Sequence, residues 1–368
     1  MDEYDYGLSE NISSGTTCTA ESVSKGFCYG MAVCGFCYDF GQSREITKEY
    51  ETYNMIVIGI VLPAIGSLGL IGNSISAFVY SRPAMISSLN VYLCALAISD
   101  MTTIFTAFFL FFLENMRKSS AFISRFFATF APVTFPLGLT AQSLSVFLTV
   151  AAALDCFLIV VGPANCKRRI CSVKSSLKAI VCIALVASVY NSPHLFEIFV
   201  IECWSLRHAV VSLDVCPTAL RQNQTYFTVY YAWMYTLVMA VGPVILLILL
   251  NTCIIISMRN LPARQNEGDS DAITLVLVVC LFITCNILPL TVNFLELFFG
   301  IVNSYLIDLS NLMVVFNSSC NFLIYYTFGS RFRVTLQHYV RTLFNKAHRR
   351  RMHSPKRIPY IPTKELLI

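Results

Sequence analysis

The chain has 368 residues, 56% of them hydrophobic and only 13% charged, and its mean hydropathy is +0.65. Soluble globular domains carry about a quarter charged residues, so half that content excludes an ordinary soluble protein and points to a membrane protein. The formal charge of +5 is unevenly spread: acids dominate residues 1–53, while Arg331, Arg333, Arg341, Lys346, Arg349, Arg350 and Arg351 make the end of the chain basic.

Residues 1–53 are polar and Gly/Ser-rich and read as a loosely ordered extracellular arm. They lack the basic start and apolar run of a signal peptide, so the first span is expected to direct insertion. Seven apolar runs follow: Asn54–Tyr80, Val91–Leu113, Phe126–Val161, Leu177–Val200, Phe227–Ser257, Ala272–Phe299 and Tyr305–Phe328. Each is near or above the ~20 residues a spanning helix needs. In lipid every backbone amide needs an internal partner, which helices supply. The expected fold is therefore an all-α membrane bundle, a seven-transmembrane domain over 54–328. Residues 329–368 form a cytoplasmic tail. Its Phe332, Leu336, Tyr339, Val340 and Leu343 recur at helical spacing opposite Arg and Gln, predicting an amphipathic helix on the membrane surface and hence a lipid contact. With the amino terminus outside, Arg82, Lys167, Arg168, Arg169, Lys174, Arg259, Arg264 and the tail place most of the 26 bases on the inner side. That distribution satisfies the positive-inside rule for a multi-pass plasma-membrane protein.

Asn11 and Asn223 begin glycosylation sequons that fall outside in this topology, whereas the sequon at Asn317 lies within a span. Six of the fifteen cysteines are also outside: Cys18, Cys28, Cys34, Cys37, Cys203 and Cys216. An even number in an oxidising compartment favours disulfides. The other reading of Cys34 and Cys37, a metal or redox pair, lacks a histidine anywhere in the arm.

No metalloprotease, serine-hydrolase or phosphate-loop motif occurs, so no enzyme is expected. Gly66, Gly69 and Gly72 are three apart in the first run, a spacing that suits close helix packing. Buried polar residues are few: Asn73, Asp100, Ser145, Asn317, Ser318 and Asn321. A carboxylate buried at mid-membrane needs hydrogen bonds, a proton or a cation, and a polar clamp between helices is the plainer reading. Asp155, the single charge of the third run, is either a boundary residue or half of a switch.

Gly72-Asn73, Leu96-Ala97-Ile98-Ser99-Asp100, Asp155, Gly242-Pro243 and Asn321-Phe322-Leu323-Ile324-Tyr325 together resemble a rhodopsin-like G-protein-coupled receptor. Tyr190-Asn191-Ser192-Pro193, Cys216 to Arg221, Tyr235 to Pro243 and Asn317 to Gly329 are similar to the invertebrate FMRFamide-type peptide receptors. The resemblance covers roughly 54–332. It implies an extracellular neuropeptide ligand, a heterotrimeric G protein as partner, and no nucleic acid. It also implies an allosteric sodium ion around Asp100, Ser145, Asn317 and Asn321, the only cofactor-like group expected. A switch is implied at Asp155, Cys156, Asn321 and Tyr325.

The departures from the family pattern are specific. Asp155-Cys156-Phe157 stands where the family has Asp/Glu-Arg-Tyr, and a thiol cannot carry the arginine's charge. Phe322 replaces the seventh-helix proline, and the sixth helix lacks its usual tryptophan. Ala131 replaces the outer cysteine of the third helix, so the family's usual disulfide cannot form, and Cys203 is expected to pair with Cys216 instead. Asp155 is expected to pair with a loop base such as Lys167 or Arg168, or to face water. An Arg-Phe-amide ligand would suit acids and aromatics. Glu114, Glu197, Glu202, Asp214, Glu296 and Asp308 line the outer ends, and Glu197 and Glu296 stand out because they lie within apolar runs.

Two further readings compete. One is a divergent receptor that binds its ligand with weak or no G-protein activation. The other is a channel or transporter, against which stands the lack of paired intramembrane charges or a repeated half.

Overall fold

The computed structural model describes residues 27–35, 48–117, 119–260 and 267–352. Seven of its helices are long and apolar enough to cross a membrane. They are α1 (Lys48–Tyr80), α2 (Ser88–Arg117), α3 (Ala121–Val160), α4 (Val173–Phe196), α5 (Gln224–Arg259), α6 (Asp271–Phe299) and α7 (Ser304–Phe328). An eighth helix, α8 (Ser330–Met352), follows the last span. Asn11, Cys18, Cys37, Arg264 and the tail beyond Met352 lie outside the described residues.

Local chemistry sets the helix starts. Ser87, Ser172 and Asn303 accept backbone N–H groups of the first turns of α2, α4 and α7, satisfying donors that have no intrahelical partner. In α3 the prolines at 132 and 136 lie inside a helix of 40 residues and remove two backbone donors. Thr140 donates back to the Pro136 carbonyl at 2.8 Å.

The glycines of α1 act as the spacing suggested. A Cβ on Gly69 would overlap Ser319 and come within 2.9 Å of the Ile104 side chain; one on Gly72 would lie 2.8 Å from Phe322 Cβ. These two positions let α1 approach α2 and α7 more closely than any larger residue would permit. Phe322, standing where the family has proline, fits into the space left by Gly72.

Toward the inner end, Tyr80, Met85, Leu93, Leu96, Leu148, Cys156, Ile254, Leu275 and Tyr325 form one buried cluster that Phe332 of α8 joins. Phe332 is 2% exposed and Leu336 packs beside it, while Val334 is 67% exposed. The first turns of the expected apolar face are thus packed, whereas Val340, also assigned to it, is 40% exposed.

The outer side differs from an all-helical expectation. The fourth apolar run does not continue as helix to Val200. Asn191-Ser192-Pro193 breaks it, and a tight turn over Ser192–Phe196 leads into a strand. Four strands form one sheet, in the order β1 (Phe27–Cys28), β2 (Met31–Val33), β3 (Ile198–Ser205) and β4 (Val210–Pro217). Branched residues at Ile198, Val200, Ile201, Val210, Val211 and Val215 suit the extended backbone. The part of the arm read as loosely ordered therefore includes two strands, and β2 pairs in parallel with β3 at Ala32↔Cys203 and Val33↔Trp204.

Candidate functional site

A disulfide joins Cys34 to Cys203, which overturns the expected Cys203–Cys216 bond. The β3–β4 register explains why. Cys203 lies opposite Ser212, and Cys216 lies opposite Phe199, four residues earlier on β3. At ~3.4 Å per residue that separation is far beyond the span of a disulfide. Cys28 and Cys216 are also disulfide-bonded. The nine cysteines beyond the outer six are all free.

Without the family's α3 bridge, the hairpin is held to the bundle by other means. Ala131, at the position of the missing cysteine, is 2% exposed in a cluster with Phe109, Phe127, Ala128 and Val215. Asp214 of β4 adds a charged anchor: it accepts from Arg117 of α2 at 3.0 Å and from the Gly35 backbone at 2.7 Å. One buried carboxylate thus ties together hairpin, arm and helix.

Glu197 is a second node, fully buried just past α4. It accepts from Arg221 at 2.9 Å and from the hydroxyls of Tyr226 and Tyr231 at 2.6 Å each, and it lies 2.8 Å from His194 Nδ1. Burial alone would raise its pKa, but the bonds to His194, Tyr226 and Tyr231 outweigh it and hold the group at about 2. A carboxyl depressed in the folded state stabilises fully above its unfolded pKa, and that contribution is lost as pH falls toward the folded value. The contribution of Glu197 should therefore be complete at pH 7 and be lost progressively from about pH 4.5 toward pH 2. Hydrogen exchange at β3 and at Tyr226–Tyr231, measured against pH, checks this; in Glu197→Gln the acid step should vanish.

Asp308 of α7, 8% exposed, accepts from Tyr50 at 3.0 Å and from Asn54 at 2.8 Å, docking the start of α1. Three outer acids of the sequence are thus committed to internal bonds. Glu296 is not. It is half-buried and makes no side-chain hydrogen bond or ion pair among the described residues. It shares a helical face with Val292, 8% exposed, and Asn293, which lies beside Tyr235 of α5; Phe294 and Phe298 turn outward at 50% and 53% exposed. Glu296 therefore lies one turn from buried Val292 on α6 and has no ion-pair partner among the described residues.

At mid-bundle, Asp100 is fully buried. Ser145 of α3 donates to one carboxylate oxygen at 2.7 Å and Asn321 of α7 to the other at 2.8 Å. Ser318, 2% exposed, lies beside them. Asn317, grouped with them in the sequence reading, is half-buried and makes no hydrogen bond to Asp100, whereas Asn321, one turn further along α7, does. Neutral donors spread a buried charge without cancelling it. The carbonyl oxygens of Asn73 and Asn321 are buried with no donor. One carboxylate with neutral oxygens suits a hard monovalent cation, since such ions take oxygen ligands. Among the described residues no group of three or more His, Cys, Asp or Glu offers a denser metal site.

At the inner end, Asp155 is 4% exposed and accepts a hydrogen bond from Ser88 of α2. Neither expected environment holds: the group is not in water, and Lys167 donates to the Ile159 carbonyl at 3.0 Å instead. Cys156 is 2% exposed within the inner core. Tyr325 is fully buried, its ring edge-on to Tyr80 at 5.2 Å and its hydroxyl without a partner. The charged contact at this end is one the sequence reading passed over. Arg331 of α8 meets Asp271 of α6 at 3.4 Å and donates to the Ala84 carbonyl at 3.3 Å. The signal available was an acid at the inner start of the sixth run and a base just after the seventh.

The sequence profile of the family described as "7 transmembrane receptor (rhodopsin family)" matches residues 72–325. The chain belongs to this family of rhodopsin-type receptors. The receptor is 59% identical over 352 residues to the "Probable G-protein coupled receptor frpr-1" of Caenorhabditis elegans, covering 92% of this chain and 93% of that protein. It is 30% identical over 289 residues to the "FMRFamide receptor" of Drosophila melanogaster, covering 75% of this chain and 52% of the other. The "FMRFamide peptide receptor frpr-18" of Caenorhabditis elegans is 29% identical over 289 residues, at 73% and 66% coverage. As a receptor of this family the molecule is a multi-pass membrane protein. Its family-specific acids, Asp100 and Asp155, are both buried and hydrogen-bonded, while the arginine that normally follows the second is a core-packed thiol.

Proposed function

We propose that the receptor binds an extracellular amidated neuropeptide of the Arg-Phe-amide type and passes the signal to a heterotrimeric G protein, with its amino terminus outside the cell. The observation that carries this reading is Glu296, a half-buried acid near the outer end of α6 with no side-chain partner among the described residues. A guanidinium–carboxylate pair is charge-assisted and can be bidentate, which suits a ligand arginine. Glu197, the other acid singled out in the sequence, already holds Arg221 and is saturated. The names of the relatives support the same ligand class. The basic residues of the loops and tail support the orientation. Asn223 is exposed and caps a helical turn through its side-chain oxygen, an arrangement that leaves its amide nitrogen for a glycan. Lys167, Arg168 and Arg169 are exposed on the inner loop, where a G protein would dock.

The deciding experiment presents an amidated-peptide library to cells expressing the full chain and reads peptide binding and G-protein release separately. Glu296→Gln should raise the half-maximal concentration of an activating peptide by about tenfold to a hundredfold, the value of one charged hydrogen bond at ~1.5–3 kcal/mol. Unchanged potency would remove Glu296 from the ligand site. Binding without release would favour the divergent-receptor reading, which Cys156 itself recommends.

The Asp100 cluster is proposed as a sodium site, held by Asp100, Ser145 and Asn321 with Ser318 beside them. Occupancy would bias the resting arrangement of α2, α3 and α7, since a ligand shifts a two-state protein by its differential affinity. Replacing sodium chloride with an equimolar organic-cation salt should raise peptide affinity about fivefold or more, the low end of typical allosteric coupling. In Asp100→Asn the salt identity should make no difference.

A further inference from the structure

Arg331, at the start of α8, reaches two other elements. Its guanidinium meets Asp271, at the inner start of α6, at 3.4 Å and donates to the Ala84 carbonyl, in the turn between α1 and α2, at 3.3 Å. Both contacts are long for N–H···O bonds, and the two side chains are 32% and 19% exposed. Arg117 with Asp214 shows what a fixed pair looks like in this molecule: 3.0 Å, with side chains 16% and 4% exposed. The other ion pairs among the described residues all lie at the outer end.

A half-exposed pair ordinarily adds little to stability, and a surface contact of no consequence is the plainer reading. The chemistry of the inner side speaks against it. Lys167, Arg168, Arg169 and Arg259 are exposed there, so the face is basic. Arg333, two residues beyond Arg331, is spent on the Tyr326 and Thr327 carbonyls at the end of α7. A protein that docks on a basic face matches it with acids. At Arg331 such an acid would find Asp271 already in place.

We propose that Arg331 is a docking residue for an acidic segment of the G protein, and that Asp271 holds it back until that partner arrives. Docking rests on the coupling proposed above; the pairing of Asp271 with Arg331 does not. Two carboxylates compete for one guanidinium. The internal pair therefore weakens the partner's binding, and a bound partner loosens α6 from α8 by the same factor. A long, water-reached contact suits an exchangeable stopper, whereas a buried pair would be too costly to open. Competition gives the two residues opposite effects. A clasp that only held α6 against α8 would give them the same effect.

The first arm of the test needs neither peptide nor G protein. The full chain in nanodiscs is treated with the arginine reagent phenylglyoxal, and modification of Arg331 and Arg333 is followed by mass spectrometry. Asp271→Asn should raise the rate at Arg331 at least threefold and leave Arg333 as in wild type. An unchanged rate at Arg331 would overturn the proposal. The second arm measures nucleotide release from the heterotrimer that the receptor activates, without peptide and at saturation. Asp271→Asn should raise peptide-free release about twofold to fivefold, the range a half-exposed pair can supply. Arg331→Gln should lower stimulated release at least threefold, Arg331→Lys should keep part of it, and the double variant should follow Arg331→Gln. Asp271→Glu, which keeps the carboxylate, should behave as wild type in both arms. A rise in both single variants would mark a plain clasp and overturn the proposal, as would a double variant that follows Asp271→Asn. A wild type that releases nucleotide from no heterotrimer, with Arg331 unmasked in Asp271→Asn, would instead overturn the coupling proposed above and leave Asp271 as the residue that occupies Arg331. A melting curve matching wild type qualifies each variant.

Discussion

Asp214→Ala should cost the receptor about 3–5 kcal/mol, the usual penalty for breaking a buried ion pair from one side. The alanine would remove the 3.0 Å carboxylate partner of Arg117, whose side chain is 16% exposed, and take from the Gly35 amide the acceptor it has at 2.7 Å. The hairpin would keep its packing on Phe127, Ala128 and Ala131 but lose the polar link to α2 and to the arm. Surface expression should fall several-fold and the melting temperature of the purified receptor should drop. Asp214→Asn should be milder, since an amide oxygen can still accept from Gly35 but cannot neutralise Arg117. A melting temperature within error of wild type for Asp214→Ala would show that the apolar contacts suffice to hold the hairpin.

Cys156→Arg should strengthen G-protein release at saturating peptide by roughly fivefold or more per surface receptor, the low end of typical coupling energies. The side chain points into the inner core among Ile254, Leu275 and Tyr325, so an arginine there would lie where it could leave the core as α6 moves. Asp155 is its immediate neighbour, and Asp271 on α6 is close enough to act electrostatically on position 156. The new residue would thus have acidic partners at rest and a cationic head for a partner protein when released. Overpacking should also lower stability by about 1–3 kcal/mol, so signals must be scaled to receptor number. Cys156→Ser separates loss of the thiol from gain of the charge and should leave coupling as it is. No change in basal or stimulated release for the arginine variant would count against an arginine requirement at this position.

The spans were legible because a bilayer imposes one simple demand, about twenty apolar residues in a row, and seven runs meet it. The fourth shows the limit of that reasoning. Hydropathy cannot distinguish the end of α4 from the branched residues of β3, and only the Asn-Ser-Pro break between them marks the change. Asp100 with Ser145 and Asn321 was legible because few polar residues are buried and the family pattern groups them. The acids at the outer ends were not: the apolar run around Glu197 set it apart from Asp214 and Asp308, yet all three are spent on internal bonds, which only their three-dimensional partners show. Ser88 with Asp155 and Arg331 with Asp271 were hidden for the same reason, since each joins elements 67 and 60 residues apart. The sheet was the least legible element. Its arm strands are two and three residues long and carry no periodic signal.

The parallel pairing of β2 with β3 sets an order of events during biosynthesis. With the amino terminus outside, as proposed above, Cys34 enters the oxidising lumen early, but its partner follows 169 residues later, after four spans have been made. At typical synthesis rates of about 5–20 residues per second that is a delay of roughly ten to thirty seconds, and disulfide exchange itself takes seconds or longer. During that interval Cys34 shares a compartment with three other arm cysteines, any of which it can meet first. Correct closure of the outer lid therefore depends on isomerisation by the secretory machinery as well as on the final fold, and export from the endoplasmic reticulum becomes a readout of whether the arm waited for its loop.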